Sequence, residues 1–272
     1  MVATKVYLFA CFLVLVTGIY FHRVPPPRDL NHQDIYDSFQ GVFPDAEDYD
    51  HFYLVLQWPP TFCNLAPNKC HKNATKFTYF TIHGLWPQKK NGGGIICTSG
   101  PAFDYDKLAR EKKLIERMKK FWPNLRGKDE QFWGDEWNKH GRCIGLEQND
   151  YFNRAANVYA NENISSLVEE LEKHEIHEGK SYRIEQYKEA IKSSRLNVTP
   201  NFQCNEHGQV QQLLEVKLCV CKKGTKFQDC TYKVGQCSTT SLIRFPHEWN
   251  KITHRPDADA VEENFRIALS AP

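Results

Sequence analysis

The 272-residue sequence lacks several features by which common classes of protein are identified. It has a single long apolar run, no CxxC pair of the zinc-ligand type and no HExxH segment. No linker or internal repeat interrupts the region from residue 51 to about residue 250. These absences argue against a membrane-spanning domain, a zinc module and a repeat protein. They leave one domain that is long enough to bury a hydrophobic core.

The one apolar run covers residues 6–21 and follows a single basic residue, Lys5. Sixteen residues are few for a membrane span but typical of a signal peptide, and Val16 and Gly18 form a plausible cleavage pattern. We therefore expect residues 1–18 to be a signal peptide, with an uncleaved signal anchor as the alternative. The mature protein would be secreted or vacuolar, without stable membrane association.

Cysteine usage fits that compartment, because nine cysteines outside the apolar run are scattered as in a disulfide framework. An odd number leaves one thiol over. Cys219 and Cys221 lie two residues apart on a predicted strand and would face the same side, and Cys221 is the candidate for the free thiol. Three N-glycosylation sequons, at Asn73, Asn163 and Asn197, also fit a secreted protein.

Charge is unevenly distributed along the chain. Residues 19–50 contain seven acidic and two basic residues, and all the acidic residues follow a run of prolines at 25–27. This composition predicts a linker or pro-segment. The remainder from residue 51 carries a net charge of +6. A basic body favours a polyanionic partner, although a solvated surface rich in lysine explains the charge equally well. We assign residues 51–250 to the folded domain and residues 251–272 to a C-terminal tail.

Hydrophobic periodicity predicts a mixed architecture. Aromatic and β-branched runs predict strands at 52–57, 77–82 and 211–220. Helical spacing of apolar residues predicts helices at 107–122, 131–141, 151–160, 165–174 and 182–194. Because strands and helices do not alternate regularly, the fold class is α+β, with a central antiparallel β-sheet flanked by several α-helices.

Two short segments carry the candidate chemistry, TIHGLWP at 81–87 and EWNKHGRC at 136–143. On a helix, Glu136, Lys139 and His140 share one face. His83 is expected at the end of a strand, where Gly84 and Pro87 would turn the chain. A helical Glu–Lys–His face or a lone histidine is usually structural, but the two segments together are not easily explained that way.

These residue types suit acid–base chemistry on a phosphodiester. Cleavage of RNA needs a base for the ribose 2′-hydroxyl proton and an acid for the departing 5′-oxygen, and histidine can serve as either near neutral pH. A lysine can stabilise the charge of the phosphorane, and a glutamate can orient its neighbours. A metal ion is not required, because the 2′-hydroxyl is an internal nucleophile.

The chain resembles the ribonuclease T2 family, in particular its plant branch of S-RNases and S-like RNases. FTIHGLWP and FWGDEWNKHGRC are similar to the two active-site segments of that family, and YLVLQWP at 53–59 and LCV at 218–220 resemble two of its strands. The resemblance implies an endoribonuclease that cleaves single-stranded RNA to a 2′,3′-cyclic phosphate and then hydrolyses it, without a cofactor. It implies His83 as general acid, His140 as general base, and Glu136 and Lys139 as transition-state stabilisers.

The same resemblance implies substrate-binding residues and a disulfide pairing. Trp86 would line the phosphate site, and a base-binding pocket would be formed by Gln57, Asn124, Leu125 and Phe132. The implied disulfides are Cys63–Cys70, Cys97–Cys143, Cys204–Cys237 and Cys219–Cys230. Metal ligands are not expected, and we expect a monomer.

Asp135 departs from the family pattern, since many relatives have a histidine directly before the motif glutamate. A carboxylate there would oppose the phosphate and could instead pair with Lys139. We expect an active enzyme with weaker substrate binding; a catalytically weakened storage or RNA-binding relative is the alternative. The basic body slightly favours a self-incompatibility S-RNase, which would imply a protein regulator, over an S-like RNase for phosphate recovery or defence.

Overall fold

The computed structural model describes residues 48–65, 69–232 and 237–248. The predicted signal peptide, most of the acidic segment and the C-terminal tail lie outside these residues. The strands in this part are β1 His51–Gln57, β2 Thr81–Gln88, β3 Ser181–Tyr182, β4 Asn201–His207, β5 Val210–Cys221, β6 Phe227–Gln228 and β7 Ile243–Arg244. The α-helices are α1 Pro59–Asn64, α2 Tyr105–Ala109, α3 Lys112–Phe121, α4 Asp129–Glu136, α5 Gln148–Asn161, α6 Leu167–Lys173 and α7 Ile184–Ser193.

The seven strands of the described residues form one sheet, which confirms the predicted α+β class. β1 lies between β2 and β5, and it is antiparallel to both. β4 pairs with β5 in a hairpin whose turn follows His207. The sheet is not purely antiparallel, because β7 runs parallel to β5.

The two faces of the sheet have different surroundings. Along β1, the alternate side chains Phe52, Leu54 and Leu56 belong to the main core, together with apolar residues of the helices. Tyr53 and Val55 point to the other face, where Cys219 and Trp86 form a small cluster with them. This second face carries the candidate functional residues.

β2 is an edge strand, and its backbone carbonyls on the open side are occupied by other parts of the chain. The Trp122 indole donates to the carbonyl of His83 over 2.8 Å, and the Tyr151 hydroxyl donates to that of Leu85 over 3.0 Å. The amide of Ile95 donates to the carbonyl of Pro87 over 3.1 Å. These contacts occupy three carbonyls of the open edge and hold the strand in position.

Two predicted elements differ from the structure. The helix predicted at 107–122 is two helices, α2 and α3, because the backbone at Glu111 leaves the helical region (φ −87°, ψ 68°). The strand predicted at 77–82 begins only at Thr81. That strand also continues through Gln88, so the expectation that His83 ends a strand and that Gly84 and Pro87 turn the chain is wrong.

Four disulfides cross-link the described part of the chain: Cys63–Cys70, Cys97–Cys143, Cys204–Cys237 and Cys219–Cys230. They are the pairs implied by the family resemblance, and among the described residues Cys221 is the free cysteine. Residues 48–50, which the sequence places in the acidic segment, pack on the domain, since Tyr49 is buried and Asp48 pairs with Lys222. Within the described ranges, no helix is both long and apolar enough to cross a bilayer.

Candidate active site

A β-bulge places His83 at the site. In the pairing of β1 with β2, Val55 lies opposite Gly84 and Leu56 lies opposite Ile82, so His83 has no partner residue on β1. An extra residue of this kind bends the strand and redirects its side chain. The imidazole can therefore lie on the face of the sheet that carries Trp86.

Gly84 allows two catalytic segments to meet. A Cβ atom at this position would lie 2.0 Å from Oε2 of Glu136 and 2.2 Å from Nε1 of Trp86. Those two atoms are joined by a hydrogen bond of 2.8 Å in which the indole donates to the carboxylate. The glycine thus makes room for the contact between β2 and the end of α4.

The second segment ends in one wide π-helical turn, Trp137–Gly141, that directly follows α4. A turn of this type changes the spacing of side chains and often occurs at functional sites. Two contacts hold it: the amide of Cys97 donates to the carbonyl of Lys139 over 2.8 Å, and Cys97 is bonded to Cys143 just beyond the turn. The prediction that Glu136, Lys139 and His140 share one face of a regular α-helix therefore holds only in part, because Lys139 and His140 lie on the π-helical turn.

His140 is a buried and neutral imidazole. Its ring stacks on Trp86 with centroids 4.9 Å apart and planes at 23°. Neither ring nitrogen forms a regular hydrogen bond with the described residues, although the backbone of Ile95 lies close enough to favour the charged form slightly. Burial, assisted by the charge of Lys139, lowers the pKa of His140 to about 3. His140 can accept a proton from a substrate that enters the site.

His83 has the opposite protonation preference. Its Nδ1 lies 2.6 Å from Oε1 of Glu215, and its Nε2 lies 3.7 Å from Oε1 of Glu136. Burial alone would lower the pKa of His83, but the hydrogen bond and charge of Glu215, with a smaller effect of Glu136, outweigh it and raise the pKa. These contacts favour the protonated form of His83, which can act as a proton donor.

Trp86 contacts both histidines: the His83 ring packs edge-on against its indole at 5.0 Å, and the His140 ring stacks on the same indole. Glu136 is 5 % exposed, and burial raises the pKa of its carboxyl group. Lys139 is exposed on the π-helical turn, where its ammonium can contact the phosphate of a substrate. The arrangement offers a proton donor, a proton acceptor and a cation around one aromatic wall.

The predicted base-binding residues are only partly brought together. Phe132 lies at the site, with its ring 5.8 Å from that of His83. Gln57 is buried on β1 and pairs with Thr81 and Glu215 on the neighbouring strands.

The other two base-pocket candidates hold the loop that precedes α4. The Asn124 amide accepts from the backbone of Arg126 and Gly127 and donates to the carbonyl of Lys128. Leu125 is buried in a small apolar cluster with Cys63 and Ala74. A base-binding role for Asn124 and Leu125 stays a prediction.

Other predicted sites lie on the surface. Asn73, Asn163 and Asn197 are all exposed, as glycosylation requires. Asp135 is exposed and directly precedes Glu136. Among the described residues, the Asp135 carboxylate forms no ion pair with Lys139. No group of three or more potential metal ligands occurs among the described residues.

The sequence analysis missed Glu215 and Lys217 on β5. Both side chains are buried and lie 3.7 Å apart, and the Lys217 ammonium lies 5.6 Å from the centre of the Trp86 ring. A signal was present, because QLLEVKLCV places two charges at alternate positions of an otherwise apolar strand. Charges in such a strand need partners, and the partner was 132 residues away along the chain.

Comparison with known proteins agrees with this geometry. The sequence profile of the Ribonuclease T2 family matches residues 49–230. Ribonuclease 1 of Arabidopsis thaliana is 37 % identical over 74 % of this chain and 88 % of its own length, and Ribonuclease S-3 of Petunia hybrida is 30 % identical over 75 % and 91 %.

Among solved structures, ribonuclease MC1 from bitter gourd seeds matches 72 % of this chain and 100 % of its own, with 30 % identity and a TM-score of 0.63. A mutant of RNase MC1 has been crystallised in complex with 5′-UMP. The chain belongs to the ribonuclease T2 family, whose plant branch it resembles, and is an endoribonuclease.

Proposed function

We propose that the protein cleaves single-stranded RNA by metal-independent transphosphorylation, with His140 as general base and His83 as general acid. One observation carries this assignment. Both imidazoles contact Trp86, and their environments drive their pKa values in opposite directions, His83 upward and His140 downward. Two titratable groups with opposed shifts are the usual sign of an acid–base pair.

In the first step, neutral His140 takes the proton of the ribose 2′-hydroxyl, and the 2′-oxygen attacks phosphorus. The bond from phosphorus to the 5′-oxygen then breaks, and protonated His83 supplies the proton to that oxygen. The products are a 2′,3′-cyclic phosphate and a free 5′-hydroxyl. In the second step the roles exchange, and water opens the ring to a 3′-phosphate.

Lys139 and Glu136 support the same step. The exposed ammonium of Lys139 can neutralise the negative charge of the phosphorane. Glu136, whose carboxyl pKa is raised by burial, can donate a hydrogen bond to a phosphate oxygen when protonated. Trp86 holds this carboxyl group through its indole and so fixes its orientation. Phe132 and Gln57 would contact a base of the substrate.

Digestion of yeast RNA and of dinucleotides in EDTA, between about pH 4 and 8, tests the proposal, because this range spans the titration of histidine. We expect cyclic-phosphate products from the wild type, and a loss of at least about a hundredfold in His140→Ala and in His83→Ala. His207→Ala, exposed at the end of β4, is the matched control. Cleavage that EDTA abolishes, or full activity in either active-site variant, would refute the mechanism.

We also propose that the enzyme acts in a secretory compartment. Four disulfides among the described residues and three exposed sequons support an oxidising environment. The self-incompatibility role that the basic body favours stays a prediction, as do the monomer, the signal peptide and the glycans. Secretion of a tagged full-length chain, with sensitivity to an N-glycosidase, tests the compartment. Expression restricted to the pistil tests the biological role.

A further inference from the structure

Glu215 lies in an environment that does not suit a carboxylate without a partner. It occupies the middle of β5, a long strand bordered by β1 on one side and β4 on the other, and it is 6 % exposed. A charge removed from water in this way persists only if other groups compensate it. Two groups do so: the His83 ring at 2.6 Å and the Lys217 ammonium at 3.7 Å.

The contact geometry determines whether Glu215 or His83 carries the proton that lies between them. An ionised carboxylate only accepts hydrogen bonds, so Nδ1 of the imidazole must donate. The other ring nitrogen, Nε2, then faces the site and lies 3.7 Å from Oε1 of Glu136. Contact between a histidine and a carboxylate in this way selects the tautomer and the orientation of the ring.

We propose that Glu215 is a positioning residue for the reaction: it orients the His83 ring and keeps it protonated, so that Nε2 can deliver the proton to the leaving 5′-oxygen. Lys217 supports this role, because its ammonium keeps Glu215 ionised and thereby keeps the shared proton on His83. The proposal rests on the proposed role of His83 as general acid. It adds a carboxylate from a strand outside both sequence motifs.

Four titratable groups face His83 from three elements, and their balance sets its charge. Glu215 from β5 and Glu136 from α4 favour the imidazolium, whereas Lys139 of the π-helical turn opposes it. His140, on the same turn, is neutral at working pH and contributes little charge. Since Glu215 is the nearer carboxylate and the one hydrogen-bonded to His83, it is the group whose removal should alter the titration most.

The variant Glu215→Gln separates charge from shape. Its side-chain oxygen can still accept from Nδ1, but the negative charge is lost. We expect the pKa of His83, followed by NMR of the ring protons, to fall by about one unit or more, as for loss of a close opposite charge. The alkaline limb of the kcat/KM profile should move to lower pH by the same amount, with KM for RNA changed less than twofold. Glu215→Asp keeps the negative charge, so the pKa of His83 in this variant should lie close to the wild-type value.

Glu178→Gln is the matched control, because Glu178 forms a similar pair with Nδ1 of His247 at 2.8 Å on the surface. It should leave the His83 titration and the pH profile unchanged. An unchanged His83 titration in folded Glu215→Gln would overturn the proposal. If that variant does not fold, ¹⁵N spectra of the wild type provide the test. Neutral His83 should carry its proton on Nδ1, and an Nε2–H tautomer would overturn the proposal. A wild type that forms no cyclic phosphate would instead refute the proposed function.

Discussion

At the scale of single residues, the site depends on close approach. β2 can contact the end of α4 only because Gly84 has no side chain, and Trp86 then links that strand to Glu136 and His140 through one hydrogen bond and one stacked ring. The sequence motifs identified His83, Glu136, Lys139 and His140 because these residues lie within short specific segments. They could not identify Glu215, whose contact with His83 depends on the register of three strands.

Gly84→Ala should damage both stability and catalysis. The new methyl group would have to displace Trp86 or Glu136, and overpacking of this kind costs about 2 kcal/mol. We expect the free energy of unfolding in urea to fall by that amount and kcat to fall at least about tenfold. Gly94→Ala is the control, because its Cβ would meet Gln88 only at an ordinary 3.7 Å. Native activity in the Gly84 variant would show that the contact is dispensable.

Asp135→His should strengthen substrate binding. The substitution removes an exposed negative charge beside the phosphate site and supplies a donor for a phosphate oxygen. We expect KM for RNA to fall about threefold, and more at low ionic strength, because screening weakens an exposed charge. Asp135→Ala distinguishes the two effects, since it removes the charge without supplying a hydrogen-bond donor. An unchanged KM in the histidine variant would count against a role of Asp135 in weakening binding.

At the scale of elements, periodicity located most helices and strands but not their interruptions. Apolar spacing continues across the break between α2 and α3, because Leu108 and Leu114 both reach the core on either side of Glu111. The bulge at His83 and the π-helical turn Trp137–Gly141 are likewise invisible to periodicity. Both arise from tertiary contacts, and both redirect a catalytic side chain.

The Cys97–Cys143 disulfide should matter for activity as well as stability. It closes a loop with a sequence separation of 46, so replacing both cysteines by alanine should cost about 3–4 kcal/mol in urea unfolding. Removing it also frees the chain that holds the carbonyl of Lys139, so we expect kcat to fall severalfold at temperatures where the variant is folded. Removing Cys204–Cys237, separation 33, should cost similar stability and leave kcat unchanged. Equal kcat values for the two variants would contradict this role.

At the scale of the whole molecule, the buried histidine links stability to pH. His140 has a pKa of about 3 in the folded chain and an ordinary value of 6.5 without burial. Between these values the unfolded chain binds a proton that the folded chain does not, so stability falls as pH falls through this window. The contribution is fully present above about pH 6.5 and is lost progressively toward pH 3.

His140→Gln should therefore be less sensitive to acid than the wild type. Between about pH 7 and pH 4, the loss of unfolding free energy should be smaller by up to about 3 kcal/mol, since one pKa unit corresponds to about 1.4 kcal/mol. Urea unfolding at both pH values measures the difference. His207→Gln, at an exposed position, should behave like the wild type. Parallel losses in His140→Gln and wild type would mean that His140 is protonated in the folded chain at pH 4.

The occupied edge of β2 decides from which direction the catalytic strand can be approached. Trp122, Tyr151 and the backbone of Ile95 already use the carbonyls that an added strand would need. An extended peptide therefore cannot dock on this border of the sheet by main-chain pairing. A substrate or an inhibitor has to approach the catalytic residues across the face of the sheet that carries Trp86 instead.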